Sequence, residues 1–185
     1  MRAALDSELL ARAEELHTEA RDFLVAHHVE ERLCAAGSVL LVGSYVTGLM
    51  VWRDLDVCVD AAGLGRAEAW ELVRPFVLEA ERVRYEDIEK PADCRHYFVL
   101  LLDGWKLDLS LFTDGIPPEV EAFQEELRRR LDDETRLAIL RLKQLWHRRL
   151  EYPEVVGGFE ICEAVLAGVR TNDELEAHLR RRALL

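Results

Sequence analysis

The chain has 185 residues, with 24 lysines and arginines against 36 aspartates and glutamates, and a net charge of −12 at neutral pH. Half of the residues are hydrophobic, which excludes a disordered chain, and a chain of this length buries roughly 70% of its unfolded surface on folding. No apolar run reaches the roughly 20 residues of a membrane span, and the charged, amphipathic N-terminus lacks a signal core. The acidic balance argues against a general binder of nucleic-acid backbone, which needs a basic face. Cys34, Cys58, Cys94 and Cys162 are scattered without zinc-type or CxxC spacing, as suits a cytoplasmic protein with no disulfide framework. Cys58 lies in an apolar stretch and reads as a buried thiol.

In chain order, residues 4 to 34 read as one helix or two joined helices, with Leu9, Leu16, Phe23 and Leu24 at helical spacing. Val39 to Val42 is a short apolar strand that runs into Gly43 and Ser44, and Tyr45 to Arg53 reads as a loop with at most one helical turn. From Asp54 to Asp60 the alternation is strict: Asp54, Asp56, Cys58 and Asp60 share one parity, and Leu55, Val57 and Val59 the other. A helix is predicted over 66–83, kinked or stopped early by Pro75, then a short strand over 84–88 and a loop containing Pro91. His96 to Leu102 and Trp105 to Phe112 are strands joined by the Asp103-Gly104 turn. On the second of these, Lys106, Asp108 and Ser110 share a face opposite Leu107, Leu109 and Leu111. Pro117 and Pro118 open a helical region that runs to the end, broken near Pro153 and Gly157-Gly158, with Thr171 and Glu174 as a capping box for the last helix. This divides the chain into 1–115, a mixed α/β core with its N-terminal helix, and 116–185, a C-terminal helical region. The lysines are only Lys90, Lys106 and Lys143, and the segment from Arg128 to Arg149 is locally basic. It reads either as a solvated face paired with neighbouring carboxylates or as a source of cations for bound phosphates.

The chemistry lies in three features taken together. Residues i and i+2 of a strand project from one face, so Asp54 and Asp56 point the same way. If the Asp108 strand lies beside them, three carboxylates converge, and a divalent cation relieves their repulsion. An oxygen-only site of this kind suits Mg²⁺, which binds through a few carboxylates plus substrate phosphates. The Gly43-Ser44 turn brings backbone N–H groups and a hydroxyl to a place where phosphates approach closely.

Gly43-Ser44, Gly48, Asp54-Leu55-Asp56 and the later Leu107-Asp108-Leu109 strand resemble the nucleotidyltransferase superfamily of the DNA polymerase beta type, including the antibiotic nucleotidyltransferases that act on aminoglycosides and lincosamides. The resemblance covers residues 38 to 112. It implies a small mixed sheet flanked by helices, with Asp54 and Asp56 on Mg²⁺ that bridges a triphosphate. Asp108 would be the third carboxylate, completing a second metal site or accepting a proton from the acceptor hydroxyl. Gly43 and Ser44 would hold the nucleotide, with Arg53 and Lys143 as further phosphate contacts. Arg53 stands where the family often has serine, and it could instead pair with Asp60. Glu151 and Glu160 are candidates for a general base, and Trp52 for a wall of the base or acceptor pocket; the histidines show no metal-ligand spacing. The partners implied are an NTP such as ATP and a small-molecule acceptor, an antibiotic among the candidates. The sequence leaves a homodimer open and implies no general nucleic-acid or membrane partner. The alternatives are an antitoxin-type enzyme that modifies a partner protein and a non-catalytic nucleotide binder.

Overall fold

A computed structural model of the chain describes residues 2–88, 94–153 and 155–185, so Lys90 and the expected Pro91 loop lie outside the described residues. The N-terminal helical segment divides in two. Helix α1 (Arg2–Ala26) ends at the His27-His28 pair, and α2 (Val29–Leu33) follows, with His28 in the left-handed region at φ 51°. Strand β1 (Val39–Val42) leads directly into α3 (Gly43–Thr47), so the helical turn expected in the 45–53 loop starts at Gly43 itself. Strand β2 (Asp54–Asp60) and helix α4 (Arg66–Glu79) come next. Pro75 lies inside α4, which stops one turn later because Ala80 takes an extended conformation. The helix is therefore shorter than its sequence pattern, and the following strand longer. Strand β3 (Arg82–Ile88) gains Arg82 and Val83, which find partners in Leu101 and Leu100 of β4 (Arg95–Leu102). Strand β5 (Trp105–Phe112) returns from the Asp103-Gly104 turn.

The five strands form one mixed sheet in the order β1-β2-β5-β4-β3. Only the β2–β5 pair is parallel, and its register sets Asp54 beside Lys106 and Asp56 beside Asp108. One face of the sheet is apolar. Leu55, Val57, Val59, Leu107, Leu109 and Leu111 are fully buried there against Leu16 and Phe23 of α1, Leu33 of α2, and Val73 and Phe76 of α4. This burial supplies the main hydrophobic driving force for docking those helices.

The C-terminal region is built from α5 (Pro118–Arg130), α6 (Asp133–Trp146), α7 (Gly158–Leu166) and α8 (Asn172–Arg181). The break between α5 and α6 carries no proline or glycine and is not foreseen by the sequence pattern. There Asp132 caps α6, its side chain accepting from the Thr135 N–H at 2.8 Å. The Thr171 capping box forms as expected, with Glu174 accepting from the Thr171 N–H at 3.0 Å. A second core around Ile139, Leu142, Trp146, Ile161, Val165 and Leu175 holds these helices together and takes in Ala13 of α1 and Leu49. Among the described residues, no helix is long and apolar enough to cross a membrane.

Candidate active site

The polar face of the same sheet is the floor of a cavity of about 950 Å³. Its walls include Ser44 after β1, Arg84 and Tyr97 on β3 and β4, Phe123 and Leu127 of α5, and Lys143 of α6. Alternation on β2 turns Asp54 and Asp56 into this space, and alternation on β5 turns Lys106 and Asp108 there. The cavity face of β2 is therefore not a solvated edge but a covered one, and further along it Cys58 is buried with Val42 and Phe112.

Asp54, Asp56 and Asp108 each offer a carboxylate oxygen within 4.8 Å of the others. Burial, with repulsion from Asp108, pushes Asp54 up to about 6 even though Lys106 pulls the other way. Burial and the charges of Asp54 and Asp108 raise Asp56 well above the usual carboxylate range. Two groups hold Asp108: the Tyr97 hydroxyl donates to Oδ2 at 2.7 Å, and Lys106 Nζ donates to the same oxygen at 2.7 Å. Lys106 also reaches Asp54 Oδ1 at 3.3 Å. Burial works against this ammonium, but Asp54 and Asp108 outweigh it and keep its pKa above the ordinary range. The other Asp108 oxygen, Oδ1, is buried and has no hydrogen-bond partner. An orphaned carboxylate oxygen in a cluster of oxygen donors is what a hard divalent ion such as Mg²⁺ would satisfy, so the three residues fit that metal.

The turn after β1 abuts the acids. Gly43 has φ +70°, and a Cβ on it would stand 2.2 Å from Asp56 Oδ2, so only glycine permits this approach. Ser44 Oγ accepts from Lys143 Nζ at 2.5 Å, and the same ammonium donates to the Leu49 carbonyl at 2.9 Å. Lys143 is 1% exposed, and burial lowers its pKa. A buried amine between a hydroxyl and a carbonyl, at the edge of an acid cluster, is placed to meet an anionic ligand.

The remaining expected residues divide. Arg53 does not face the cavity. It precedes Asp54 and takes the opposite parity, so its guanidinium pairs with Glu19 of α1 at 2.9 Å and lies over the Trp105 ring, rather than reaching a phosphate site or Asp60. The basic segment is mostly spent on structure: Arg129 and Arg130 pair with Glu126, Arg141 with Asp6, and Arg149 with Glu176, while Arg136 donates to the Gly48 carbonyl. Of that segment's cations, Lys143 lines the cavity. Glu160 also lines it, but its carboxylate caps α7 by accepting from the Gly157 N–H at 2.8 Å. Glu151 is exposed and not part of the cavity wall among the described residues. Trp52 stands edge-on to Tyr152, and Lys106 Nζ lies 5.6 Å from its ring centroid. Lys106, Tyr97 and Tyr152 also line the site, beyond the residues that the motif itself singles out. For Lys106 the signal was present, since it lies two residues before Asp108 on the same face.

No known family model matches the chain, and no curated protein matches it. Solved structures do. A Cid1 poly(U) polymerase with Mg and 3′-dATP bound superposes with a TM-score of 0.63 at 15% identity, over 90% of this chain and 55% of that one. The fold is that of a nucleotidyltransferase. A cytoplasmic RNA terminal U-transferase gives a TM-score of 0.55 at 16% identity, over 86% of this chain and 53% of that one. The polymerase core of TRAMP, an RNA surveillance complex, also gives 0.55, at 18% identity, over 86% of this chain and 52% of that one. The chain thus spans about half the length of these neighbours.

Proposed function

We propose that the protein is a Mg²⁺-dependent nucleotidyltransferase that moves an NMP group from an NTP to a hydroxyl of a small-molecule acceptor. The observation that carries this reading is the convergence of Asp54, Asp56 and Asp108 from two parallel strands onto one spot, against a glycine turn that leaves no room for a side chain. The acceptor oxygen would bond to the α-phosphorus while the bond from that phosphorus to the bridging oxygen breaks. Pyrophosphate leaves, and the acceptor proton passes to a carboxylate of the cluster. Bound Mg²⁺, held by Asp54, Asp56 and Asp108, would neutralise charge on the phosphates. Ser44 and Lys143 would bind the triphosphate through the hydroxyl and the buried ammonium, and the turn at Gly43 would let the phosphates come close. In this reading residues 1–115 supply the acids and residues 116–185 supply Lys143 and the aromatic wall, shielding the reaction from water.

A cavity of about 950 Å³ has room for a nucleotide and a small acceptor together, and the chain's net charge of −12 disfavours a long polyanion. A second reading, in which the acceptor is an RNA 3′ end, is supported by the RNA-acting proteins that share the fold, and Arg84 and Arg95 also line the cavity, engaged there with Glu86 and Ser110. The test is incubation with Mg²⁺, labelled ATP, GTP, CTP or UTP, and a panel containing aminoglycosides, lincosamides, phosphorylated sugars, a short RNA and candidate partner proteins. Label on a small molecule supports the first reading and label on RNA the second; labelled protein would point to a partner-modifying enzyme. Transfer of equal extent by wild type and Asp56→Ala would refute the site altogether.

A further inference from the structure

The acid cluster already contains a cation of its own. Lys106 lies opposite Asp54 in the parallel register and two residues before Asp108 on the same face. Its ammonium donates to Asp54 Oδ1 at 3.3 Å and to Asp108 Oδ2 at 2.7 Å, and so links an acid of β2 to the acid of β5. Two-metal phosphoryl-transfer sites supply two divalent cations to neutralise such carboxylates and the phosphates. We infer, resting on the nucleotidyl-transfer reading above, that the Lys106 ammonium takes the place of one of those two ions, so that the loaded site holds a single divalent metal per nucleotide.

Two further observations support this. Asp108 Oδ2 already accepts from both Tyr97 and Lys106, which leaves Oδ1 as the oxygen open to a metal. Lys106 is also held in place, with its side chain 22% exposed and its ammonium over the Trp52 ring. Lys143, the other lysine of the cavity, is committed to Ser44 and the Leu49 carbonyl and does not serve as this counter-ion.

Equilibrium dialysis of the full chain against Mn²⁺ and a non-hydrolysable ATP analogue, counting bound metal and bound nucleotide separately, tests the assignment. The expected ratio is one Mn²⁺ per nucleotide for wild type and for Lys106→Arg, rising to two for Lys106→Met. Two ions per nucleotide in wild type would overturn the assignment and leave nucleotidyl transfer standing. A ratio of one in a folded Lys106→Met protein would also overturn it, because the cation would then not be standing in for a metal. Failure of wild type to bind the analogue with any amount of Mn²⁺ would overturn the nucleotidyl-transfer reading, and this assignment with it. The wild-type count decides even where the methionine variant does not fold.

Discussion

On one face of the β2–β5 pair, Leu55, Val57, Val59, Leu107, Leu109 and Leu111 are almost completely buried against helices α1, α2 and α4. On the other face of the same two strands, Asp54, Asp56, Lys106 and Asp108 crowd into a cavity, with Asp54 and Asp56 held away from their ordinary protonation. The first face supplies hydrophobic stabilisation, and the second spends part of it, because desolvated like charges oppose folding until something neutralises them. One backbone register serves both, and a slip of a single residue would exchange the two faces. Substitutions on the two faces should therefore separate activity from stability in opposite directions.

The largest expected effect is on activity. Asp56→Asn keeps the side-chain shape and removes one buried negative charge, and NMP transfer should fall by roughly 10³-fold or more. Without metal, its melting temperature at pH 8 should be at or above that of wild type, since the lost charge was a burden on the folded state. Thermal unfolding and a label-transfer assay on the same preparation check both halves. A variant that is inactive because it is unfolded would break the comparison.

Leu107→Ala should do the reverse. Leu107 is fully buried in the apolar face, and truncating such a leucine costs about 2–5 kcal/mol through lost burial and the cavity left behind. Denaturant unfolding should show that loss, while the folded fraction keeps its transfer activity at a temperature well below the new midpoint.

How far the site could be read in advance follows from the same two faces. Alternation over 54–60 and 105–112 fixed which residues face together, and the Asp103-Gly104 turn fixed the β4–β5 hairpin, so the three aspartates could be proposed as a group. Whether β2 and β5 are neighbours is a non-local fact that no local pattern carries, and the parallel pairing supplies it. For Arg53, proximity in sequence to Asp54 is not proximity on a strand face: one residue earlier means the opposite side, where it pairs with Glu19. Tyr97 and Tyr152 sit in segments whose patterns read equally well as core. The break at Leu131-Asp132 is hidden in the sequence because an aspartate cap inside a charged run looks like any other charge.

A pH experiment sharpens the comparison further. The Asp54 carboxyl is raised from 3.8 to about 6 in the folded protein, so the fold binds that proton more tightly than the unfolded chain does. The resulting stabilisation is fully present below about pH 4 and is lost as the pH rises through 6, and Asp56, also raised, adds a loss of the same sign. The metal-free protein should lose melting temperature across that window relative to Asp54→Asn. Added Mg²⁺ should restore it, and restore more at pH 8 than at pH 5, because the metal binds the ionised form. Equal Mg²⁺ stabilisation at both pH values would show that the carboxylates are not its ligands.

The smallest effect is the one expected of Arg53, and it tests the geometry most selectively. If the residue before Asp54 reached into the cavity, Arg53→Ala would remove a phosphate contact and raise the KM for NTP by about tenfold or more, as loss of a hydrogen bond to a charged group does. Its guanidinium instead pairs at the surface with Glu19 and stacks near Trp105, and partly exposed pairs of this kind contribute no more than about 1 kcal/mol. Arg53→Ala should therefore leave KM and kcat within about twofold of wild type and lower stability by less than about 1 kcal/mol. Adding salt should shrink that difference, because a surface pair is screened. A tenfold rise in KM would mean that the segment before β2 turns toward the nucleotide when substrate binds, and the division between the two faces would then hold only for the protein without its ligands.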